Sequence, residues 1–207
     1  MRTKIYHITH LENLQSILEA GGLLPNKKSK ARSKNIAYPH LQSRRARIRV
    51  PLGPKGTLHD YVPFYFSPRP PMLYALHHPG PEMTYRGGQR PILHLVSSVQ
   101  AVVQASLPFV LTDRHAVSAY ANFYDDPNDL ARLDWAAIGA RRWRSMSDPS
   151  LSERKQAEFL VYGFFPWKLV QSIGVHDKEI AKAVFEIIGK FSQNMGRMIL
   201  VQPDWYY

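Results

Sequence analysis

The chain has 207 residues, 44% of them hydrophobic and 12% aromatic, which is enough apolar material for one domain with a real core. It contains no cysteine, which excludes disulfides and cysteine-ligated zinc and fits a reducing compartment. A formal net charge of +11 at pH 7 makes a phosphate-bearing partner the first expectation.

The opening "MRTKIYHITH" shows no apolar leader core, and the longest nearly apolar run, Phe159 to Trp167, is far too short to span a bilayer. A soluble, cytoplasmic protein is expected, without membrane attachment. "KIYHIT" reads as a first strand. Thr9 then predicts a helix cap with Glu12 three residues on, a capping box, ahead of the apolar stripe Leu11, Leu14, Ile17 and Leu18. Glycines 21 and 22 end that helix.

Next comes an interval, between Glu19 and Asp60, that has no acidic residue and ten basic ones: Lys27, Lys28, Lys30, Arg32, Lys34, Arg44, Arg45, Arg47, Arg49 and Lys55. Charge concentrated in this way marks a surface for phosphates of nucleic acid or of a nucleotide cofactor. A short helix is predicted near "YPHLQSRRAR", on which Arg45 and Arg49 share one face and Arg44 and Arg47 another. The rest of the interval has the length of a functional or disordered loop.

Further on, "YVPFYF" reads as a strand in which Pro63 requires an edge or a ladder-free position. "PPMLYALHH" reads as a proline-initiated helix, "PILHLVSS" as a buried strand, "SVQAVVQAS" as a helix and "PFVLTD" as a strand. Residues 114–156 break into loops with one helical piece around "DLARLDWAAIGARRW". A strand around Glu158, a strand "SIGVH", a helix from Lys178 to about Phe191 and a strand "RMILVQ" close the chain. Strands and helices mix without regular alternation, which predicts an α+β fold with mainly antiparallel pairing, in a single domain over residues 1–207.

"KQAEFLVYGFF" carries the sharpest signal. Period-2 alternation puts Ala157, Phe159 and Val161 on one face and Gln156, Glu158, Leu160 and Tyr162 on the other. Glutamate is a poor strand former, and burying its charge without a partner costs several kcal/mol. Either Glu158 faces water at an edge or it is held for chemistry. One arginine of the 44–49 window is the cation that a buried Glu158 requires. His7, between apolar neighbours, reads either as a core histidine or as a ligand contact. No phosphate-loop fingerprint, nucleophile elbow or zinc-helix motif is present, and the nine histidines show no metal-ligand spacing. No metal is expected.

The chain resembles the DarT toxins, which ADP-ribosylate a base in single-stranded DNA using NAD. The resemblance rests on "IYHITHLENLQSIL", "IAYPHLQSRRAR", "LHDYVPFYFSPRPPMLYAL", "GGQRPILHLVSS", "FVLTDRHA", "KQAEFLVYGFFPW" and the terminal "WYY", in this order over most of the chain. It implies an ADP-ribosyltransferase-like fold: split antiparallel sheets around an NAD cleft, with flanking helices. It implies Glu158 as catalytic glutamate and Arg45 as catalytic arginine. It also implies His7, Ile8, Thr9, Ser16 and Leu24, with Arg45, as contacts to NAD, the co-substrate. The basic segment up to Arg47 becomes an element folded over NAD, and His115 opens a substrate-reading loop that runs to Glu158. Gln156, Arg47 and Arg142 join His115 as expected DNA contacts, and Trp135 and Trp143 within that loop either stack bases or fill core. Single-stranded DNA, with thymine N3 as acceptor, is the expected substrate, a macrodomain-type antitoxin the expected partner and a monomer the expected state. The residues alone leave open a noncatalytic nucleic-acid-binding protein, or a transferase of the same fold acting on RNA or protein.

Overall fold

The computed structural model describes residues 2–29, 34–191 and 196–207. Lys30 and Arg32 of the basic interval therefore lie outside the described residues.

The chain opens with β1 (Lys4–His10), α1 (Leu14–Glu19), β2 (Gly22–Leu23), α2 (Pro39–Arg45), β3 (Tyr61–Tyr65) and α3 (Pro71–His77). It continues through β4 (Ile92–Ser98), α4 (Val99–Gln104), β5 (Phe109–Thr112), β6 (Phe123–Tyr124), α5 (Trp135–Gly139) and α6 (Leu151–Arg154). It ends with β7 (Glu158–Tyr162), β8 (Phe165–Pro166), β9 (Ser172–Val175), α7 (Lys178–Ile188) and β10 (Met198–Val201). The main sheet has the order β10-β9-β4-β1-β3-β7-β5-β6, and β2 and β8 form a second, antiparallel pair. All main-sheet pairings are antiparallel except β9 with β10. This is the α+β, mainly antiparallel arrangement expected from the sequence.

The two halves of the main sheet are unequally joined. β1 pairs with β4 along its whole length, but with β3 it registers at Tyr6↔Tyr65. Beyond that point the strands part, and Pro63 sits on the parting side. Its carbonyl accepts a hydrogen bond from His7 Nδ1 at 2.8 Å rather than from a strand amide. The N–H and C=O of one strand residue point the same way, so the missing proline N–H also faces the gap, where no ladder partner is required. Pro63 thus occupies a ladder-free position within an interior strand, not an edge.

The core follows from alternation. Val62 and Phe64 of β3 share a buried cluster with Phe159 and Val161 of β7, Leu93 and Leu95 of β4, and Val184 of α7. On the other face, Tyr61 and Leu160 pack with Val110, Ala116 and Val117. Both faces of β7 are therefore covered, and Glu158 begins a strand that has no solvent side except at Tyr162.

Two local readings are corrected. Thr9 is not a helix cap, because β1 extends one residue further and His10 caps a short 3-10 turn, its Nδ1 accepting from Glu12 N–H. The strand ladder to β4 holds Thr9, so the capping function passes to the next residue. The expected Arg45–Arg49 and Arg44–Arg47 helix faces do not form. α2 ends at Arg45, and Arg49 instead bridges to Thr57.

His94 is fully buried in β4, with Nε2 2.7 Å from the Pro68 carbonyl and Nδ1 3.3 Å from the Tyr206 hydroxyl. Burial pushes it down to about 4. The unfolded chain binds a proton at this residue below its ordinary value near 6.5, and the folded chain does not until about pH 4. The stability it contributes is complete above pH 6.5 and is lost as pH falls towards 4. Denaturant unfolding at pH 7 and pH 4 is expected to show the wild type losing about 3 kcal/mol more than His94→Gln. Equal losses would remove His94 as the cause.

Candidate active site

Glu158 is 2% exposed, and its N–H and both carboxylate oxygens have partners. Its N–H donates to Thr112 Oγ1 at 3.2 Å, across the β5–β7 ladder. Oε1 accepts from the Ala116 N–H at 2.9 Å. Arg45 Nη1 bridges both oxygens, at 3.1 Å to Oε1 and 2.9 Å to Oε2. The His115 ring stands 3.8 Å from Oε1, and burial pushes its pKa down despite the nearby carboxylate. The strand begins at a carboxylate because a backbone amide and a guanidinium compensate its burial.

Arg45 comes from the far side of the cleft. α2 has seven residues, too few to be stable alone. Pro39 starts it with a fixed φ, and tertiary tethers hold it. Arg44 Nη2 donates to the Val117 carbonyl at 3.0 Å. Gln42 Oε1 accepts from Asn26 Nδ2 at 2.8 Å and lies 3.0 Å from His59 Nε2. Lys27 pairs with Asp60 at 3.0 Å. The basic interval is thus folded back over the sheet and meets it at the Arg45–Glu158 pair. Arg45 Nη2 is buried with no protein partner, so the guanidinium keeps a donor in reserve.

Between the basic arm and the sheet lies a cleft of about 390 Å³. It brings together His7, Ile8, Thr9, Ser16, Leu24, Arg45, His115, Gln156 and Glu158. Residues from both faces of β1 reach it because the sheet is parted there. Thr9 Oγ1 accepts from Asn13 Nδ2 at 3.2 Å, and the Ser16 hydroxyl donates to the Asn13 carbonyl at 2.9 Å. Gln156 Nε2 donates to the Ser152 carbonyl.

Arg47 and Arg142 are exposed and are not part of the cleft wall. Arg47 follows the end of α2. Arg142 lies in the loop between α5 and α6. Trp135 is 42% exposed, with its edge on Phe66, and Trp143 packs against Tyr74 and donates to the Tyr207 hydroxyl. Neither tryptophan is core.

The wall also includes residues the sequence did not single out. Tyr65 is the cross-strand partner of Glu158, so the two side chains stand side by side on one face. Burial, and then the Glu158 charge, hold its phenol well above the usual value. Asn13 bonds the Lys34 backbone in both directions, at 2.9 and 3.0 Å, and so fixes the end of the arm. Strand alternation placed Tyr65 on the Pro63 face, which was a usable signal; Asn13 had none.

A family model described as DarT, ssDNA thymidine ADP-ribosyltransferase, matches residues 6–207. A DNA ADP-ribosyl transferase of Thermus sp. (strain 2.9) is 51% identical over 205 residues, covering 99% of this chain and 96% of that protein. The solved structure of Thermus sp. 2.9 DarT in complex with ADP-ribosylated ssDNA matches with a TM-score of 0.95 at 50% identity, over 99% of this chain and 96% of that one. The same protein in complex with NAD+ matches with a TM-score of 0.91 at 47% identity, over 99% and 98% of the two chains. A DNA ADP-ribosyl transferase–DNA ADP-ribosyl glycohydrolase fusion protein of Thermosipho africanus is 26% identical over 208 residues, which is 97% of this chain and 48% of the fusion. The parted sheet with its cleft is the ADP-ribosyltransferase-like fold. Within that class, the chain belongs to the DarT family.

The ion pair makes a stability prediction. Arg45→Ala leaves a carboxylate buried without its cation and is expected to cost about 3 kcal/mol in urea unfolding at pH 7. Glu158→Gln in the Arg45→Ala background is expected to recover about half of this, since no charge is then left unpaired. A double variant no more stable than Arg45→Ala would assign the loss to packing of the arm.

Proposed function

We propose that this chain transfers ADP-ribose from NAD to a base of single-stranded DNA, with thymine N3 as the acceptor, and releases nicotinamide. The observation that carries the reading is the buried Glu158–Arg45 pair at the point where the basic arm closes on the parted sheet. The names of the Thermus relatives and their complexes support NAD as co-substrate and single-stranded DNA as acceptor, and the description of the family model supports a thymidine.

The mechanism follows from where charge develops. As the bond to nicotinamide breaks, the ribose gains oxocarbenium character. A carboxylate already fixed by Ala116 N–H and Arg45 stabilises that charge without reorganising. Glu158 also accepts a hydrogen bond from the 2′-hydroxyl of the nicotinamide ribose. His7, Ile8, Thr9, Ser16 and Leu24 hold NAD along the β1–α1 wall. A guanidinium does not serve as a free-standing base. Arg45 contacts an NAD phosphate and stabilises the thymine imide as its N3 proton passes to solvent water. Its spare Nη2 is suited to that second contact. His115 and Gln156 orient the base beside Glu158, and Arg47 and Arg142 meet DNA phosphates outside the cleft.

The chain acts as one catalytic domain and as a monomer, in the cytoplasm where its DNA substrate is. No described helix is long and apolar enough to cross a membrane. A glycohydrolase antitoxin of the macrodomain type reverses the modification; the Thermosipho fusion, which joins the two activities in its name, supports that partner.

Glu158→Ala is expected to lower the transfer rate roughly 10²- to 10⁴-fold while retaining DNA affinity. Mass spectrometry of oligonucleotides incubated with NAD reads the rate, and near-normal labelling would refute the assignment.

The same assay on matched single- and double-stranded oligonucleotides is expected to favour the single strand at low and at high salt. A duplex engages thymine N3, and exposing it costs a few kcal/mol. Equal labelling of both forms would point to a terminal or phosphate acceptor.

A further inference from the structure

Thr112 is fully buried at the last position of β5, and its hydroxyl serves two backbone groups at once. The β5–β7 ladder runs in register to Leu111↔Phe159. At the next position the Glu158 N–H donates to Thr112 Oγ1, at 3.2 Å. The same Oγ1 donates its proton to the Arg114 carbonyl at 2.7 Å. A hydroxyl accepts from one group while donating to another, which a valine of the same shape does not do.

The second bond turns the chain at residues 112–114, as threonine hydroxyls do with backbone groups two residues on. The residues after this turn are those that meet the Glu158 side chain. The His115 ring stands 3.8 Å from Oε1, and the Ala116 N–H donates to Oε1 at 2.9 Å. Thr112 thus holds the amide of Glu158 and the start of a turn whose own amide holds the Glu158 carboxylate. The far side of the turn is tied to other elements. The His115 N–H donates to the Glu153 carbonyl at 2.9 Å, the Ser118 hydroxyl to Glu153 Oε2 at 2.8 Å, and Arg44 to the Val117 carbonyl at 3.0 Å.

Arg45 and Ala116 act differently on the carboxylate. Arg45 Nη1 lies 3.1 Å from one oxygen and 2.9 Å from the other, so it supplies charge without selecting a rotation of the group. The Ala116 N–H bonds Oε1, and a hydrogen bond to one oxygen does select a rotation.

Resting on the reading of Glu158 as the carboxylate that meets the oxocarbenium charge, we infer that Thr112 is a positioning residue for the transfer. Its hydroxyl sets the 112–116 turn so that the Ala116 N–H fixes the rotation of the Glu158 carboxylate. Thr112 is not part of the cleft wall. Its removal therefore changes the rate of the chemical step rather than the binding of either substrate.

The test measures kcat and both KM values with NAD and a single-stranded oligonucleotide. Thr112→Val keeps the shape and removes the hydroxyl. It is expected to lower kcat about 10- to 100-fold, with the KM for NAD and for DNA unmoved. Thr112→Ser keeps the hydroxyl and recovers most of the rate. Thr112→Ala against Thr112→Ser repeats the comparison without the methyl group, and this ratio carries the test if the valine variant does not fold. In the Glu158→Ala background, Thr112→Val is expected to have no further effect, because the carboxylate it positions is absent. A general folding defect would multiply with the Glu158→Ala loss instead. Near-normal transfer by Glu158→Ala refutes the catalytic carboxylate and this inference with it. A slow Glu158→Ala beside an unchanged kcat in Thr112→Val refutes the positioning role alone. So does a serine variant as slow as the valine or alanine one, a raised KM in place of a lowered kcat, or an equal fold loss in both backgrounds.

Discussion

The contact between Arg45 and Glu158 joins residues 113 positions apart and ties the basic arm to the sheet. A carboxylate that is 2% exposed at the head of β7 requires a compensating cation. A seven-residue helix bearing that cation requires an anchor. Each element supplies what the other lacks. The arm is held over the cleft at the point where the carboxylate is buried, so the pair that compensates the carboxylate also fixes the arm.

The cleft exists because the sheet is incompletely laddered. A full ladder between β1 and β3 would leave no gap, whereas registration at Tyr6↔Tyr65 followed by Pro63 opens one without orphaning a backbone donor. The open side is not loose. His7 bonds to the Pro63 carbonyl across it, and Thr9, Asn13 and Lys34 are linked by side-chain bonds along its rim. The Pro63 carbonyl, which a full ladder would satisfy, is satisfied by the His7 side chain.

The positive charge of the chain is divided by function rather than spread. Arg44 and Arg45 are used inward, as tether and as counter-ion. Arg154 fastens the loop ahead of Glu158 through Asp134 and Asp148, and its hydrogen bonds, with that of Ser150, hold the Asp148 carboxyl down at about 2. Arg47 and Arg142 remain exposed, so neither carries a desolvation cost. Basic residues that look alike in one dimension thus have different neighbours and different degrees of burial.

The sequence by itself determined the elements and the anomaly. Alternation in "KQAEFLVYGFF" marked β7, and a charge within it marked Glu158. Pro63 announced an edge or a ladder-free position, and the acid-free interval announced a concentrated positive surface. Proline- and glycine-bounded periodicity located most strands and helices to within a residue or two. Local pattern could not choose Arg45 among four arginines; only likeness to the DarT family did so. What the tertiary structure alone decided was pairing. Tyr65 beside Glu158 and Asn13 clamping Lys34 join residues far apart along the chain. Periodicity reports which way a side chain points, but not what the folded chain brings to meet it. Sites are made by the second property, because desolvation and hydrogen bonding depend on the neighbour in space.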